Sequence, residues 1–439
     1  MRRPVAVACR ATQICALLLT MAAALAPRAA AQSSVGVDTP YPQLPAVLPA
    51  RADQFVDSVG VNVHLGYADT AYANYGAVRQ RLLDLGVHAI RDQACVTCAT
   101  QQDRLLDLAG AGIRSDLIMG RPGGPDPLPG LVDLVAGRLR PALLGVEGPN
   151  EFDRSGAPGW AVRLRAYQQE LYTRVRRVRS LDRVEVLGPS LTRPSSYAAL
   201  GDMSAWLDCT SIHPYTGGGE PTDGLGDELA LAHVTAADKP ACATEVGWHD
   251  AMAATGGHLP TSDAAAAVYV PRLYLDFFRA RIPRTFLYEL VDERPDPSGA
   301  SAEEHFGLLR NDLTPKPAFA SLRRLLQLVR PTAQAKPALL RFMVSGGGSD
   351  LEQLLLQQDA THQVLILWRD VSVWDRYDRE DIPVDPEPVT VQFGQRVDQV
   401  DVSTVAPAPP ATQTIEAPRQ VQLQLGADPV VLTLTRPSP

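Results

Sequence analysis

Lysine is almost missing from this chain: three residues, Lys239, Lys316 and Lys336, among 41 basic residues in all. No lysine run exists, and the net charge is −8, so the molecule as a whole has no electrostatic pull towards nucleic acid or an anionic membrane. Long apolar stretches are missing too, apart from residues 14–26 (ICALLLTMAAALA), a run too short to span a bilayer comfortably. No Gly-rich phosphate turn follows the first strand pattern. Val63-His64-Leu65-Gly66-Tyr67 stands there instead, which argues against a dinucleotide-binding open sheet. Cysteine is sparse, and Cys95-Val96-Thr97-Cys98 lacks a second pair of Cys or His ligands at matched spacing, so a zinc site is not expected. Nor does that motif open a helix after the first strand of a small domain, as a thioredoxin-like centre would.

The N-terminus reads as an export signal. Met1-Arg2-Arg3 and Arg10 precede the apolar run, and Ala29-Ala30-Ala31 supplies small residues for cleavage, so the mature chain is expected to start at Gln32. Cys15 has no lipobox-like context. Cleavage removes Arg2, Arg3, Arg10 and Arg28 and no acid, taking the net charge from −8 to −12. The expected location is secreted or periplasmic, with no membrane span after signal cleavage. Four cysteines remain, and an even number in an exported protein suggests disulfides, with Cys95–Cys98 and Cys209–Cys242 as the expected pairs. The second pair would join neighbouring parallel strands, a geometry not ideal for such a bond.

From about residue 52 to 330, short apolar, β-branched runs alternate with amphipathic stretches. The strand candidates are Val56–His64, His88–Asp92, Arg114–Met119, Leu143–Glu147, Val184–Leu187, Cys209–His213, Ala241–Val246 and Thr285–Leu290. Between them lie helical patterns such as Tyr75–Leu85, Gln101–Ala111, Trp160–Ser180 and Ser262–Arg281, the last with Ser262 as N-cap. Eight such repeats over roughly 280 residues match an α/β fold of the (β/α)8 TIM-barrel type. After about residue 335 the character changes to short β runs without helices: Leu354–Gln357, Gln363–Trp368, Val389–Phe393, Val397–Val402, Gln420–Leu425 and Val430–Thr435. These predict a small all-β sandwich. The organisation is therefore a signal peptide over 1–31, a linker over 32–51, the barrel over 52–330 and the sandwich over 331–439.

Chemistry in such a barrel sits at the C-terminal ends of the strands. The fourth strand ends in Glu147-Gly148-Pro149-Asn150-Glu151, the seventh in Thr244-Glu245-Val246-Gly247-Trp248, and the sixth in His213-Pro214-Tyr215. The second ends in Arg91-Asp92, and the first runs into His64. Two carboxylates projecting into one barrel mouth suit glycoside hydrolysis, one as acid and one as nucleophile or base. Glu147 lies within its strand, where pairing with a base inside the barrel is expected. Glu289 and Glu293 are further acids near the mouth. Glu303-Glu304-His305 falls in a loop rather than on one helical face, so no metal is assigned to it.

On these residues the chain resembles the clan A glycoside hydrolases, the retaining (β/α)8 glycosidases, and with its C-terminal sandwich it is similar to glycoside hydrolase family 39 and its relatives. The resemblance implies Glu151, in the Asn150-Glu151 pair, as acid/base and Glu245 as nucleophile. It implies Arg91 beside the nucleophile, and His213 and Tyr215 at the sugar. One departure stands out: many members end strand eight with a Trp that floors the sugar site, and here Leu287-Tyr288-Glu289-Leu290 stands there. Tyr288, or Trp248 after the nucleophile, is expected to take that place, and His64 is divided between site and core.

The roles follow physically. Glu151 must be protonated to donate to the leaving oxygen, and Glu245 must stay ionised, which the Arg91 charge favours. Asn150 can donate to a sugar hydroxyl. The expected protein is a monomer acting on a carbohydrate, without cofactor or metal. A transglycosylase using the same residues and a non-catalytic carbohydrate-binding protein are the alternatives; the presence of both glutamates disfavours the latter. The charge of −12 makes an acidic substrate unexpected unless a local basic patch exists.

Overall fold

The computed structural model describes residues 32–33, 43–407 and 412–437. The expected export signal over 1–31 lies outside them, as does most of the proline-rich stretch 407–410. Eight parallel strands form one sheet: β1 (Val59–Asn62), β2 (Ala89–Gln93), β3 (Arg114–Ile118), β4 (Leu143–Glu147), β5 (Glu185–Leu187), β6 (Thr210–Ile212), β7 (Ala241–Val246) and β8 (Thr285–Leu287). They pair in the order β5-β4-β3-β2-β1-β8-β7-β6, and a parallel bridge from Leu187 to Cys209 closes the ring. This is a (β/α)8 barrel, and it sets every strand end named above on one rim.

Helices α1 (Ala52–Ser58), α2 (Tyr75–Leu85), α3 (Ala99–Gly110), α4 (Leu128–Ala136), α5 (Trp160–Arg177), α6 (Pro194–Leu200), α7 (Leu225–Thr235), α8 (Asp263–Arg279) and α9 (Pro317–Val329) pack outside the sheet. Ser262 caps α8, its Oγ accepting from Ala265 N at 3.0 Å. The first strand is shorter than the sequence predicts, because Val56–Ser58 belong to α1. Ala52, Phe55, Val56 and Val59 are all buried, and their spacing is that of a helical stripe running into a strand.

The C-terminal sandwich has two sheets. One contains β9 (Leu340–Gly346), β12 (Glu387–Phe393) and β15 (Gln420–Leu425). The other contains β10 (Leu351–Gln357), β11 (His362–Arg369), β13 (Gln399–Thr404), β14 (Thr412–Glu416) and β16 (Val430–Thr435). The sequence reading missed β9, and it missed β14, whose single buried side chain, Ile415, gives no strand-like alternation. The segment 32–51 is not a mere linker. Ala46–Val47 pairs with β9 and Ala50–Arg51 with β10, so this stretch adds an edge to each sheet.

β11 is buried on both faces. Leu365 and Leu367 enter the sandwich core, while Val364, Ile366 and Trp368 join the core of the barrel helices. Trp368 Nε1 donates to Asp276 on α8 at 2.8 Å, and the buried Arg272 reaches Asp370 at 2.7 Å and the Val371 carbonyl at 2.6 Å. Both cysteine pairs are bonded, Cys95 to Cys98 and Cys209 to Cys242. Among the described residues no helix is long and apolar enough to cross a membrane.

Candidate active site

A cleft of about 1100 Å³ opens at the C-terminal rim of the barrel and holds Arg91, Asn150, Glu151, His213, Tyr215, Glu245, His64 and Tyr288. Its anchor is Arg91, 2% exposed on β2. The guanidinium forks onto Glu147 of β4 through Nε to Oε2 at 2.6 Å and Nη2 to Oε1 at 3.1 Å. Nη1 donates to Glu245 Oε1 at 2.7 Å and to Asn62 Oδ1 at 2.9 Å, and Nη2 to Asn150 Oδ1 at 2.8 Å. One planar cation thus orients groups from β1, β4 and β7, a task suited to the rigid five-donor fork of arginine. Asp92 is not its partner; that carboxylate accepts from Leu65 N at 3.1 Å and Gln93 N at 2.7 Å.

Glu245 is 8% exposed. Besides Arg91, Tyr215 Oη donates to its Oε2 at 3.0 Å, and His213 Nδ1 lies 3.6 Å from the same oxygen. Burial alone would raise this carboxyl. The charges of His213 and Arg91, with the hydrogen bonds from Arg91 and Tyr215, outweigh it and hold Glu245 below the usual carboxylate value.

Glu151 sits across the cleft. Its Oε1 is 3.0 Å from His213 Nδ1, and His213 Nε2 is 3.1 Å from Thr244 Oγ1. One oxygen each of Glu151 and Glu245 lies within 4.8 Å of the other. Arg154, three residues on, donates to Glu151 Oε2 at 3.2 Å. The Glu151 backbone is left-handed, φ 43° and ψ 39°, an arrangement that costs a β-carbon residue roughly 1–3 kcal/mol. The turn is held by Glu151 N donating to Ser190 Oγ at 3.0 Å and by Arg154 N returning to Glu151 O at 3.1 Å. Gly148 makes the approach possible, since a Cβ there would overlap Gln168 Oε1 and Pro189 N. Asn150 Oδ1 is taken by Arg91 and by Ser190 Oγ at 3.0 Å, which leaves its amide NH2 facing the cleft residues as a donor.

The opposite end of the cleft is lined by His64, Tyr67, Tyr288 and Phe306. His64 stacks on Tyr67 at 4.7 Å between ring centres, and burial holds its pKa down to about 4, so it is neutral near pH 7. Its Nε2 is 3.4 Å from Glu289, which is fully buried and whose carboxyl is pushed well up by burial and then by Glu293 and Glu303. Tyr288 Oη donates to Glu303 Oε1 at 2.6 Å, and the Tyr288–Glu289 peptide is cis. Tyr288 therefore stands in the cleft where the resemblance expects a Trp.

Trp248 does not. Only 7% exposed, it packs in the core against Tyr269, its Nε1 donating to the Gly219 carbonyl at 2.8 Å, and it is absent from the cleft lining. Gly247 explains the misplacement. A Cβ there would overlap the Tyr288 carbonyl, so the chain is pressed against β8 and the next side chain turns beneath the rim. Sequence reasoning also missed Asn62, Tyr67, Arg154, Ser190, His258 and Phe306. His258 comes from the loop after Trp248 and stacks on Tyr215 at 4.8 Å between ring centres.

Among the described residues, three sets of His and carboxylate side chains come close enough to share an ion: His64, Glu289 and Glu293; Glu151, His213 and Glu245; and Asp250, Asp292 and His305. The last already holds a cation, because the buried Lys316 Nζ lies 3.0 Å from Asp250 and 2.9 Å from Asp292.

No family model matches the sequence, and no curated protein does. Solved structures match over most of the chain. A family 39 glycoside hydrolase from the gut symbiont Bacteroides cellulosilyticus aligns at 16% identity and TM-score 0.59, over 89% of this chain and 83% of that one. A family 39 enzyme from Xanthomonas axonopodis pv. citri aligns at 15% and 0.57, over 89% and 96%. A monomeric β-xylosidase from Caulobacter crescentus aligns at 14% and 0.56, over 89% and 98%. At such identity the likeness is one of fold, barrel and sandwich together.

Proposed function

We propose that this protein is an exported retaining glycoside hydrolase with Glu151 as acid/base and Glu245 as nucleophile. The observation that carries the reading is the pair of carboxylates within 4.8 Å across one polar cleft, from the ends of β4 and β7. That closeness suits double displacement better than an inverting enzyme, which leaves room for water between carboxyls about 6.5–9.5 Å apart.

In the first step Glu151 gives its proton to the glycosidic oxygen. A Glu245 oxygen attacks the anomeric carbon from the opposite face; the bond to the leaving group breaks and a glycosyl ester forms. In the second step the Glu151 carboxylate takes a proton from water, whose oxygen displaces Glu245. Arg91 and Tyr215 keep Glu245 anionic and aimed, and the Asn150 amide is placed to donate to a sugar hydroxyl. Export belongs to the same proposal and rests on the N-terminal sequence pattern.

The test is a hydrolysis screen over aryl glycosides and glycans, with Glu245→Gln as control. β-Xylosides lead the panel, because a structural neighbour is a β-xylosidase. NMR of the first product should show the substrate's anomeric configuration retained. Inversion overturns the assignment of roles. Transfer to added sugar in place of water identifies a transglycosylase, and glycan binding without any cleavage identifies a binding protein.

A further inference from the structure

The rim of the cleft is unlike on its two sides. Past β8 its lining carries Glu303, with Glu289 and Glu293 buried behind it beside His64. Around β3, β4 and β5, three successive units contribute arginines: Arg121 in the loop after β3, Arg154 after β4 and Arg193 in the loop after β5, all lining the cleft. Several arginines elsewhere on this acidic molecule are paired, as Arg79 is with Asp107, Arg138 with Asp103 and Arg294 with Asp69. Among the described residues, the side chains of Arg121 and Arg193 have neither an ion pair nor a hydrogen bond. Two carboxylates share this wall, Asp126 and Glu228. Asp126 pairs with neither arginine, and Glu228 is turned to Tyr197 Oη at 3.4 Å.

We propose that this arginine wall binds an anionic sugar residue, one bearing a carboxylate or sulfate, on the leaving-group side of the scissile bond. The inference rests on the reading of Glu151 as the acid. The group that protonates the leaving oxygen lies on the leaving-group side, and Arg121 and Arg193 flank it from the neighbouring units. Guanidinium groups recognise planar or tetrahedral oxyanions through paired donors, and two with no protein acceptor have that capacity free. The net charge of −8 averages over this local patch, so overall charge does not decide against an acidic substrate here.

The test compares two aryl glycosides of the sugar found in the screen, identical except for a ring carboxylate on one leaving group. In Arg121→Gln/Arg193→Gln the ratio of kcat/KM, carboxylated over neutral, should fall about tenfold, and salt near 1 M should shrink the wild-type ratio likewise. Equal loss on both substrates, or an unchanged ratio, overturns the proposal. A second arm measures binding by calorimetry to wild type and to the double variant. It uses a hyaluronan tetrasaccharide for carboxylate, a sulfated carrageenan tetrasaccharide for sulfate and cellotetraose as neutral control. Binding of either anionic probe that is lost in the variant upholds the wall and says which oxyanion it prefers. This arm needs no turnover, so a protein that binds yet cleaves nothing keeps the wall and loses the hydrolase reading. Equal binding of all three probes, or none, overturns the wall whatever the enzyme does. Neither arginine supports other side chains, so the fold is not at stake, and a thermal melt checks this.

Discussion

Glu245 and Glu151 face each other across one cleft, yet their surroundings differ in kind. Glu245 is locked: a buried guanidinium, a tyrosine hydroxyl and a histidine converge on it, and the guanidinium is itself clamped by the buried Glu147. Glu151 sits at the head of a short strained turn, with a quarter or less of its side chain exposed and an exposed arginine as one partner. A group that must stay anionic gains from fixed donors and buried charge. A group that must release and regain a proton in each turnover needs a path to water and a setting that tolerates both states. His213 touches both carboxylates and joins the two halves.

The sharpest way to break this contrast is to delete each carboxylate. Glu245→Ala should lose turnover by roughly 10⁴–10⁶-fold on every substrate, since no glycosyl ester forms. Glu151→Ala should lose roughly 10²–10⁴-fold on ordinary substrates, and far less on an aryl glycoside whose leaving group needs no proton. Azide should restore the Glu151→Ala variant with retained configuration and give at most an inverted product in Glu245→Ala. Rescue with the stereochemistry reversed means the roles are swapped, and wild-type rates in both variants remove the glycosidase reading.

Arg91→Lys attacks the lock without touching the reacting atoms' own carboxylates. An ammonium cannot fork onto Glu147 while reaching Glu245 and Asn150. We expect kcat/KM to fall roughly 10²–10³-fold, the scale of losing a preorganised electrostatic contact. The direction with pH follows from linkage. The Arg91 charge lowers the Glu245 carboxyl, so its weakening should move the acid limb of the kcat/KM profile to higher pH. An unchanged acid limb would mean that the limb reports another group.

Much of this was legible in the sequence, and the failures are physical. The strand count could be read because buried parallel strands are short β-branched runs, and the two catalytic candidates because each follows such a run. Glu147 was readable as the partner of an interior base, but the identity of that base was not. Arg91 reaches Glu147 across β3 inside the barrel, and which side chains meet in that interior is invisible in local pattern. Trp248 was misread because side-chain direction after a strand depends on a backbone contact, Gly247 against the Tyr288 carbonyl, that no spacing encodes. The arginine wall was hidden by distance, its members spread over 121–193 in sequence and gathered only by three adjacent loops.

The buried web around Arg91 also has a cost that can be measured. Asp116 on β3 is fully buried, neither carboxylate oxygen has a hydrogen-bond partner, and its pKa is pushed up to about 7 by burial and then by Glu147. Arg284 and Arg91 oppose the shift, and Glu185 adds to it. With an unfolded value near about 3.9, the native state holds the extra proton between about pH 4 and pH 7. The contribution to stability is therefore full below about pH 4 and is lost as pH rises through about 7. Asp116→Asn should keep the shape, raise stability at pH 8 by on the order of 1 kcal/mol and flatten the fall of Tm with pH. A lower Tm at pH 8 would show that the ionised carboxylate has a role in the web.

The smallest expected effect asks whether the sandwich favours one carboxylate over the other. Arg376, from the sandwich loop after β11, donates through Nη1 to the Thr216 carbonyl at 2.7 Å, one residue past Tyr215. Nearby, Arg379 reaches the carbonyls of Met252 and Ala254, in the loop that carries His258. Both loops hold the rings beside Glu245, and neither touches the Glu151 turn. Removing Arg376 takes away one part-buried hydrogen bond, worth about 0.5–1.5 kcal/mol, and a part-exposed ion pair with Asp223 at 3.5 Å, worth about 0–1 kcal/mol, so the fold should survive Arg376→Ala with a modest drop in Tm. The loss should fall on the Glu245 side. A loosened Tyr215 donates less well to Glu245 Oε2, so the nucleophile's step should slow severalfold on an activated aryl glycoside, where that step needs no acid. Azide partitioning of the glycosyl ester, which depends on the Glu151 side, should stay as in wild type. A change in partitioning at unchanged first-step rate would show that the sandwich braces the acid instead, and the division between a locked and a part-exposed carboxylate would have to be redrawn.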